Sequence, residues 1–156
     1  MGYNKNSTET KRDFLRRYGE QEWLNSVPGE EIAVRFHSSE TLGRFSIMES
    51  KAQPGAAPPM HLHRDEEEVF HILQGELDFS VAGIETTLKA GDMMRIPAGM
   101  PHAWRNRTDH VALMIVMFAP GGPEKIFEMI AGRSNDEISA ILDELGTVVV
   151  GPPMEA

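Results

Sequence analysis

Short segments with strand character follow one another between Ile32 and Pro120, and their spacing limits the fold more than any other feature. Leu77, Phe79 and Val81 alternate with polar residues, as expected for a strand with one buried face. Short strands separated by turn residues indicate a sandwich or barrel rather than a parallel α/β sheet. The predicted strands are Ile32–Phe36, Arg44–Met48, Glu68–Leu73, Glu76–Val81, Glu85–Lys89, Asp92–Ile96, His102–Arg105 and Val111–Phe118.

The pattern becomes helical after Gly121-Gly122-Pro123. A first helix is predicted with Glu124 in its first turn. A second is predicted with Ser134 as its N-cap and Glu137 completing a capping box. We expect both helices to cover an end or an edge of the barrel. Their predicted buried faces consist of Ile126, Phe127, Ile130 and Ala131, and of Ile138, Ile141, Leu142 and Leu145.

Three regions are therefore predicted: an N-terminal arm or short helix at 1–24, a β-barrel at 25–120 and a C-terminal helical extension at 121–156. The length of 156 residues fits a single domain. We expect the extension to pack on the barrel.

Charge and cysteine content exclude several classes of function. The chain has 15 Lys and Arg against 24 Asp and Glu, a net charge of −9. A surface this acidic repels phosphate backbones, so we expect no nucleic-acid partner. The absence of cysteine excludes disulfides, thiolate metal sites and cysteine nucleophiles.

Membrane association is not expected either. The longest apolar run, Val111–Ala119, has nine residues, whereas a bilayer-spanning helix needs about 20. The first dozen residues are polar and show no apolar secretory signal. The expected location is the cytoplasm.

A group of histidines and a carboxylate predicts a metal site. His61 and His63 are two residues apart, so in a strand both imidazoles point to one side. Glu68 can join them if the intervening residues turn or bulge, and His102 can arrive from a second strand. Three imidazoles and a carboxylate suit Fe, Mn, Ni, Co or Zn and leave coordination positions open. Glu66 and Glu67 compete with Glu68, since strand parity places Glu66 on the same face.

Two blocks of residues resemble the two motifs of the cupin superfamily, and fifteen residues separate them. The resemblance implies a double-stranded β-helix, or jelly-roll, barrel that is expected to be a homodimer and holds one divalent transition metal per chain. Carried over by motif position, the metal ligands are His61, His63, Glu68 and His102. The first block is Gly55, His61, His63, Glu68 and Gly75, and the second is Gly91, Pro97, Gly99, His102 and Asn106.

Outer features resemble the quercetin 2,3-dioxygenase-like branch of the cupins. They are Trp23, Pro28-Gly29-Glu30, Thr41-x-Gly43 before Phe45, Phe118-Ala119-Pro120-Gly121-Gly122 leading into Phe127, and Gly151-Pro152-Pro153. This resemblance implies a metal-dependent dioxygenase that binds a phenolic or enolic small molecule, with Glu68 as the catalytic base. His71 is a departure, because many relatives have tyrosine there. A non-redox isomerase or lyase, and a metal-anchored binding protein without turnover, remain alternatives.

Strand parity also suggests which side chains line the cavity. Phe70 and Ile72 share the face of Glu68, and Trp104 shares the face of His102. The predicted wall is Phe70, Ile72, Phe79 and Trp104, with Met94, Ile115 and Met117 as further candidates; the alternative for each is plain barrel core. His37, His71 and His110 are expected to be structural or exposed, and His71 should point away from the cavity.

Overall fold

The computed structural model describes residues 14–155, which form two facing antiparallel sheets and two short helices. Within this part of the chain, no helix is long and apolar enough to cross a membrane. The strands are β1 (Leu24–Val27), β2 (Glu30–Phe36), β3 (Ser46–Ala52), β4 (Pro59–His63), β5 (Glu67–Gln74), β6 (Glu76–Val81), β7 (Ile84–Lys89), β8 (Met93–Ile96), β9 (His102–Arg105), β10 (Ala112–Ala119) and β11 (Thr147–Pro153), and the helices are α1 (Lys125–Met129) and α2 (Asn135–Glu144).

The strand order is that of a jelly-roll barrel. The first sheet runs β1-β2-β3-β10-β5-β8 and the second runs β11-β4-β9-β6-β7. All eight predicted strands are present, β6 and β9 with the predicted bounds and the other six with shifted ends, and the all-β prediction is confirmed. The structure adds three strands that were not predicted, namely β1, β4 and β11.

The core lies between the sheets and follows the period of two that a strand imposes. Burial alternates strictly along β3 and along β10. On β10 the buried residues are Ala112, Met114, Val116 and Phe118. Neighbouring strands continue these rows, because Met114 pairs with Ile72 and Val116 pairs with Phe70. Apolar rows therefore run across β10 and β5 on the inner face of the first sheet.

The predicted hairpin tip at Ala82-Gly83 connects β6 to β7. Both residues have positive φ, 50° and 80°. Two successive left-handed residues produce the tight turn whose twist matches that of the flanking strands. The register of β6 on β7 follows, from Val81 opposite Ile84 to Glu76 opposite Lys89.

The helices cover one opening of the barrel, as expected from the sequence. Residues Ile126, Phe127, Ile130, Ile138 and Leu142 border the barrel cavity. The capping box of α2 is confirmed: the Ser134 hydroxyl accepts a hydrogen bond from the Glu137 amide, and the Glu137 carboxylate accepts one from the Ser134 amide. The apolar side chains of α2 are only partly buried.

Ser134→Ala is expected to lower the free energy of unfolding by about 1 kcal/mol, because an N-cap hydroxyl satisfies an otherwise unpaired amide. Urea denaturation followed by circular dichroism measures this. Ser139→Ala, at an exposed position inside α2, is the control and should not destabilise the protein. Equal stability of Ser134→Ala and wild type would show that the cap is dispensable.

The N-terminal segment lies on the outside of the first sheet. Residues 14–23 dock without a regular helix, and the predicted arm at 1–13 falls outside the described residues. Arg35 donates a hydrogen bond to the Arg17 carbonyl at 2.9 Å, and Gln21 donates one to Glu49 at 3.0 Å. The Lys51 ammonium lies 3.7 Å from the centre of the Trp23 ring.

Candidate metal centre

The structure brings together the four side chains that the sequence singled out. One potential ligand atom from each of His61, His63, Glu68 and His102 lies within 4.8 Å of those of the other three. His61 and His63 come from β4, His102 from β9 and Glu68 from β5. The cluster therefore joins the two sheets across the barrel.

Local strand geometry explains how three imidazoles converge. His61 and His63 are two residues apart on β4, and His61 is the Cα partner of His102 on the antiparallel strand β9. The Pro97-Ala98-Gly99 turn leads into β9, and the Gly99 amide donates a hydrogen bond to the His63 carbonyl at 2.7 Å. Gly99 has φ 76°, a conformation that glycine adopts without strain.

Glu68 approaches the histidines from the opposite sheet. Its Oε2 lies 2.7 Å from His102 Nε2 and 3.3 Å from His63 Nε2. The second contact does not have hydrogen-bond geometry, and His63 Nε2 is buried without a hydrogen-bond partner among the described residues. A buried ring nitrogen without a hydrogen-bond partner is costly unless a further group occupies the cluster. The donor set and this unpaired atom fit a metal ion.

The outer nitrogen of each imidazole is already engaged. His61 Nδ1 lies 2.8 Å from the Pro59 carbonyl, and His102 Nδ1 lies 2.9 Å from the Met100 carbonyl. His63 Nδ1 lies 3.0 Å from the Thr147 hydroxyl. A carbonyl partner requires a proton on Nδ1, so the Nε2 lone pairs of His61 and His102 face the cluster when the rings are neutral. Such outer hydrogen bonds typically orient metal-binding histidines.

Thr147→Val should weaken metal binding roughly 10- to 100-fold, because it removes the hydroxyl that orients His63 while keeping the shape of the side chain. The measurement is a competition titration of metal against a chelator. Val148→Thr, on the neighbouring β11 residue, is the control and should bind metal like the wild type. Unchanged affinity in Thr147→Val would show that the position of His63 does not depend on this contact.

Mutual interactions determine the charges of the cluster. Burial raises the pKa of Glu68, but the hydrogen bond from His102 and the charges of the adjacent His63 and His102 imidazoles outweigh it and hold that pKa below its ordinary value. Burial and the nearby charge of His102 lower the pKa of His61 to about 4. For His102 burial lowers the pKa, but the hydrogen bond to Glu68 outweighs this and raises it overall. The cluster thus combines an ionised carboxylate with a neutral His61, both suited to metal ligation.

A cavity of about 390 Å³ lies beside the cluster. His61, His63 and Glu68 contribute to its wall. Most of the remaining lining is apolar and includes Val27, Met48, Phe70, Trp104, Met114, Val116, Phe118, Ile126, Phe127, Ile130, Ile138 and Leu142. A largely apolar cavity with a few converging polar groups is the usual form of a small-molecule site.

The predicted cavity wall is right in part. Phe70 and Trp104 line the cavity, whereas Ile72 and Phe79 do not. Both of the latter are fully buried, and Phe79 packs edge-on against Phe70 with ring centres 5.0 Å apart. They lie behind the wall because an inward side chain can face the packed core instead of the cavity.

The further candidates on β8 and β10 are wrong. Met94 does not line the cavity, and neither do Ile115 and Met117. On β10 the inward face carries Met114, Val116 and Phe118. The run on β10 is apolar on both faces, so the sequence offers no alternation from which to choose the inward set.

The competing residues lie outside the cluster. Glu67 forms an ion pair with Arg95 at 2.9 Å, and Glu66 is not among the clustered groups. His71 does not line the cavity, in agreement with its parity. His37 lies 3.6 Å from Glu128, and His110 is exposed beside Asp109.

Sequence reasoning missed two residues of the site, Thr147 and Glu30. Thr147 pairs with His63 in the register of β11 on β4. Glu30 lines the cavity and accepts a hydrogen bond from the Ser50 hydroxyl at 2.5 Å. Burial raises the pKa of Glu30, the Ser50 hydrogen bond lowers it and the charge of Glu68 raises it. Together these effects bring the pKa to about 7. Glu30 lies two residues before the buried Ile32 on β2, so the alternation of a strand could have predicted that Glu30 faces inward.

Comparison with known protein families supports the fold. The family model described as a cupin domain matches residues 48–118, from β3 to β10. Residues 48–118 of this chain are thus similar to a cupin domain, and all four clustered residues lie within that range.

Individual relatives show how far the similarity extends. The chain is 31% identical over 105 residues to quercetin 2,3-dioxygenase of Bacillus subtilis (strain 168), an alignment that covers 67% of this chain and 31% of that protein. It is 29% identical over 93 residues to the polyketide synthase CurC of Streptomyces cyaneus, covering 60% of this chain and 58% of that one. The chain thus spans less than two thirds of either relative.

A solved structure agrees with the architecture. An RmlC-like cupin from Shewanella frigidimarina aligns with a TM-score of 0.63 and 20% identity, over 71% of this chain and 94% of that one. At this identity the likeness concerns the fold alone.

Proposed function

We propose that this protein is a metal-dependent oxygenase that acts on a phenolic or enolic small molecule. The observation that carries the proposal is the cluster of three histidines and one carboxylate in the wall of an apolar cavity. Similarity to quercetin 2,3-dioxygenase over 105 residues supports the choice of chemistry. In this proposal His61, His63, Glu68 and His102 hold one divalent transition metal.

A bound Fe, Mn, Co or Ni ion would lower the pKa of a coordinated hydroxyl group and supply redox chemistry. The charge of one divalent cation and one carboxylate is net positive, which favours an anionic oxygen of the ligand. Glu68 is the residue we propose as base, because its carboxylate is in contact with the cluster and faces the cavity.

The side chains around the cluster determine the shape of ligand that the cavity accepts, and they exclude water. Phe70 and Trp104 present aromatic surface, while Met48 and Met114 add polarisable thioethers. Phe127 and Ile130 border the cavity from the C-terminal region. This lining favours a flat, mainly apolar ligand whose polar oxygen atoms reach the cluster.

A second candidate is a metal-dependent isomerase or lyase without redox chemistry, acting on a hydroxy or keto compound. The donor set of three imidazoles and one carboxylate also suits Zn, which has no redox chemistry, and this supports the second candidate. In that case the same cluster polarises the substrate and Glu68 moves a proton without the involvement of oxygen.

Metal analysis followed by oxygen uptake tests the proposal. The protein is reconstituted separately with Fe(II), Mn(II), Co(II) and Ni(II), and oxygen consumption is recorded with quercetin and simple catechols. We expect uptake that requires both the metal and the phenol. Stoichiometric metal without uptake on any substrate would contradict the oxygenase proposal and favour the second candidate or binding without turnover.

A further inference from the structure

Glu30 occupies an unusual place in the cavity wall. It lies on β2, and β3 and β10 separate β2 from the strand that carries Glu68. Outside the four-residue cluster, it is the charged side chain in the lining formed by the described residues. The wall around it is apolar, with Val27, Pro28 and Ala56 among its members.

The carboxyl of Glu30 is oriented but not saturated. Ser50 is fully buried, and its hydroxyl donates to Glu30 Oε1 at 2.5 Å. Among the described residues this is the only hydrogen bond to the carboxyl, so Oε2 is available to a ligand. A partly buried carboxylate with one partner is costly to the fold, and such sites tend to be functional.

The carboxylate next to Glu30 in the chain, by contrast, has a cationic partner. Glu31, the next residue on β2, points to the outer face and pairs with Lys51 at 3.8 Å. Glu30 has no such cation among the described partners. Because the pKa of Glu30 is raised to about 7, part of the carboxyl is protonated near neutral pH. The side chain can then donate as well as accept a hydrogen bond.

We propose that Glu30, oriented by Ser50, is the second polar binding group of the cavity. The ligand is then an aromatic compound with two poles: an oxygen donor directed at the cluster and a hydroxyl group that bonds to Glu30. The apolar wall between the two carboxyl groups holds the ring system. This inference rests on the proposed function for the oxygen donor at the cluster, and it adds the hydroxyl group at Glu30.

The test compares flavonols that differ by one hydroxyl group. Unsubstituted flavonol and its derivatives with one additional hydroxyl at different ring positions are titrated into metal-loaded protein without oxygen. Quenching of tryptophan fluorescence reports binding, since Trp104 lines the cavity. We expect at least one derivative to bind roughly tenfold more tightly than the parent, as suits a hydrogen bond to a charged group.

Variants of Glu30 and Ser50 test whether Glu30 causes that preference. In Glu30→Leu the ratio of the two dissociation constants should fall to about one, and in Glu30→Gln and Ser50→Ala to an intermediate value. Glu31→Gln is the matched control and should keep the wild-type ratio. Because the ratio compares two ligands on one variant, a general loss of stability does not produce the effect, and Glu30→Gln preserves the side-chain shape.

The outcomes separate this inference from the proposed function. A preference retained in Glu30→Leu, or wild-type protein that binds the flavonols without any preference, would overturn the role of Glu30. A Glu30-dependent preference without oxygen uptake under any metal would leave Glu30 as a binding group and contradict the oxygenase proposal instead.

Discussion

His61→Ala is expected to lose bound metal while the barrel remains folded. Loss of a ligand should weaken metal binding by more than the roughly 10- to 100-fold that loss of an outer hydrogen bond costs. Of the three histidines, His61 can be removed with the least disturbance of Glu68, because its hydrogen bond is to the Pro59 carbonyl and not to Glu68. Elemental analysis after dialysis against each metal measures occupancy, and circular dichroism measures folding.

His63→Ala and His102→Ala should lose metal equally but also lower the melting temperature. Both histidines contact the buried Glu68 carboxylate, at 3.3 Å and 2.7 Å, and removing a partner leaves its charge less compensated. His71→Ala, on β5 but outside the cavity, is the matched control and should retain metal. Full occupancy in all three cluster variants would rule out the metal site described here.

Glu68→Gln is expected to reduce turnover about 10²- to 10⁴-fold, the usual contribution of a general base, while retaining more metal than the histidine variants. The amide oxygen keeps a donor atom in place but cannot accept a proton at neutral pH. Single-turnover kinetics in metal-saturated protein separate this loss from a loss of metal.

Glu67→Gln is the control for the same change of charge one residue away. Glu67 pairs with Arg95 outside the cavity, so its variant should turn over like the wild type. Undiminished turnover of Glu68→Gln would show that another group accepts the proton, and Glu30 would be the next residue to test.

The clustered residues were predictable because local rules position them. Strand parity aligns His61 with His63, and a turn at Pro97-Ala98-Gly99 precedes His102. Motif position in the cupin resemblance favoured Glu68 over Glu66 and Glu67, and the structure brings that carboxylate to the histidines. Their role as metal ligands remains a prediction.

The cavity wall was only partly predictable. Parity separates inward from outward side chains, but it does not tell whether an inward side chain borders the cavity or the packed core. Phe70 and Phe79 illustrate this, since both are buried and in contact, yet only Phe70 reaches the cavity. On β10 every residue is apolar, so the sequence did not show which side chains face inward.

By itself the sequence determined the all-β architecture and the capping of α2, since each depends on spacing along a short stretch of chain. The resemblance of its two motif blocks to those of the cupins indicated which four residues converge. The tertiary structure decided which distant strands meet. It placed β11 beside β4, which brings Thr147 to His63 across 84 residues, and it turned Glu30 into the cavity beside Ser50. Such contacts depend on barrel closure, which is settled by the packing of both sheets together and leaves no local pattern.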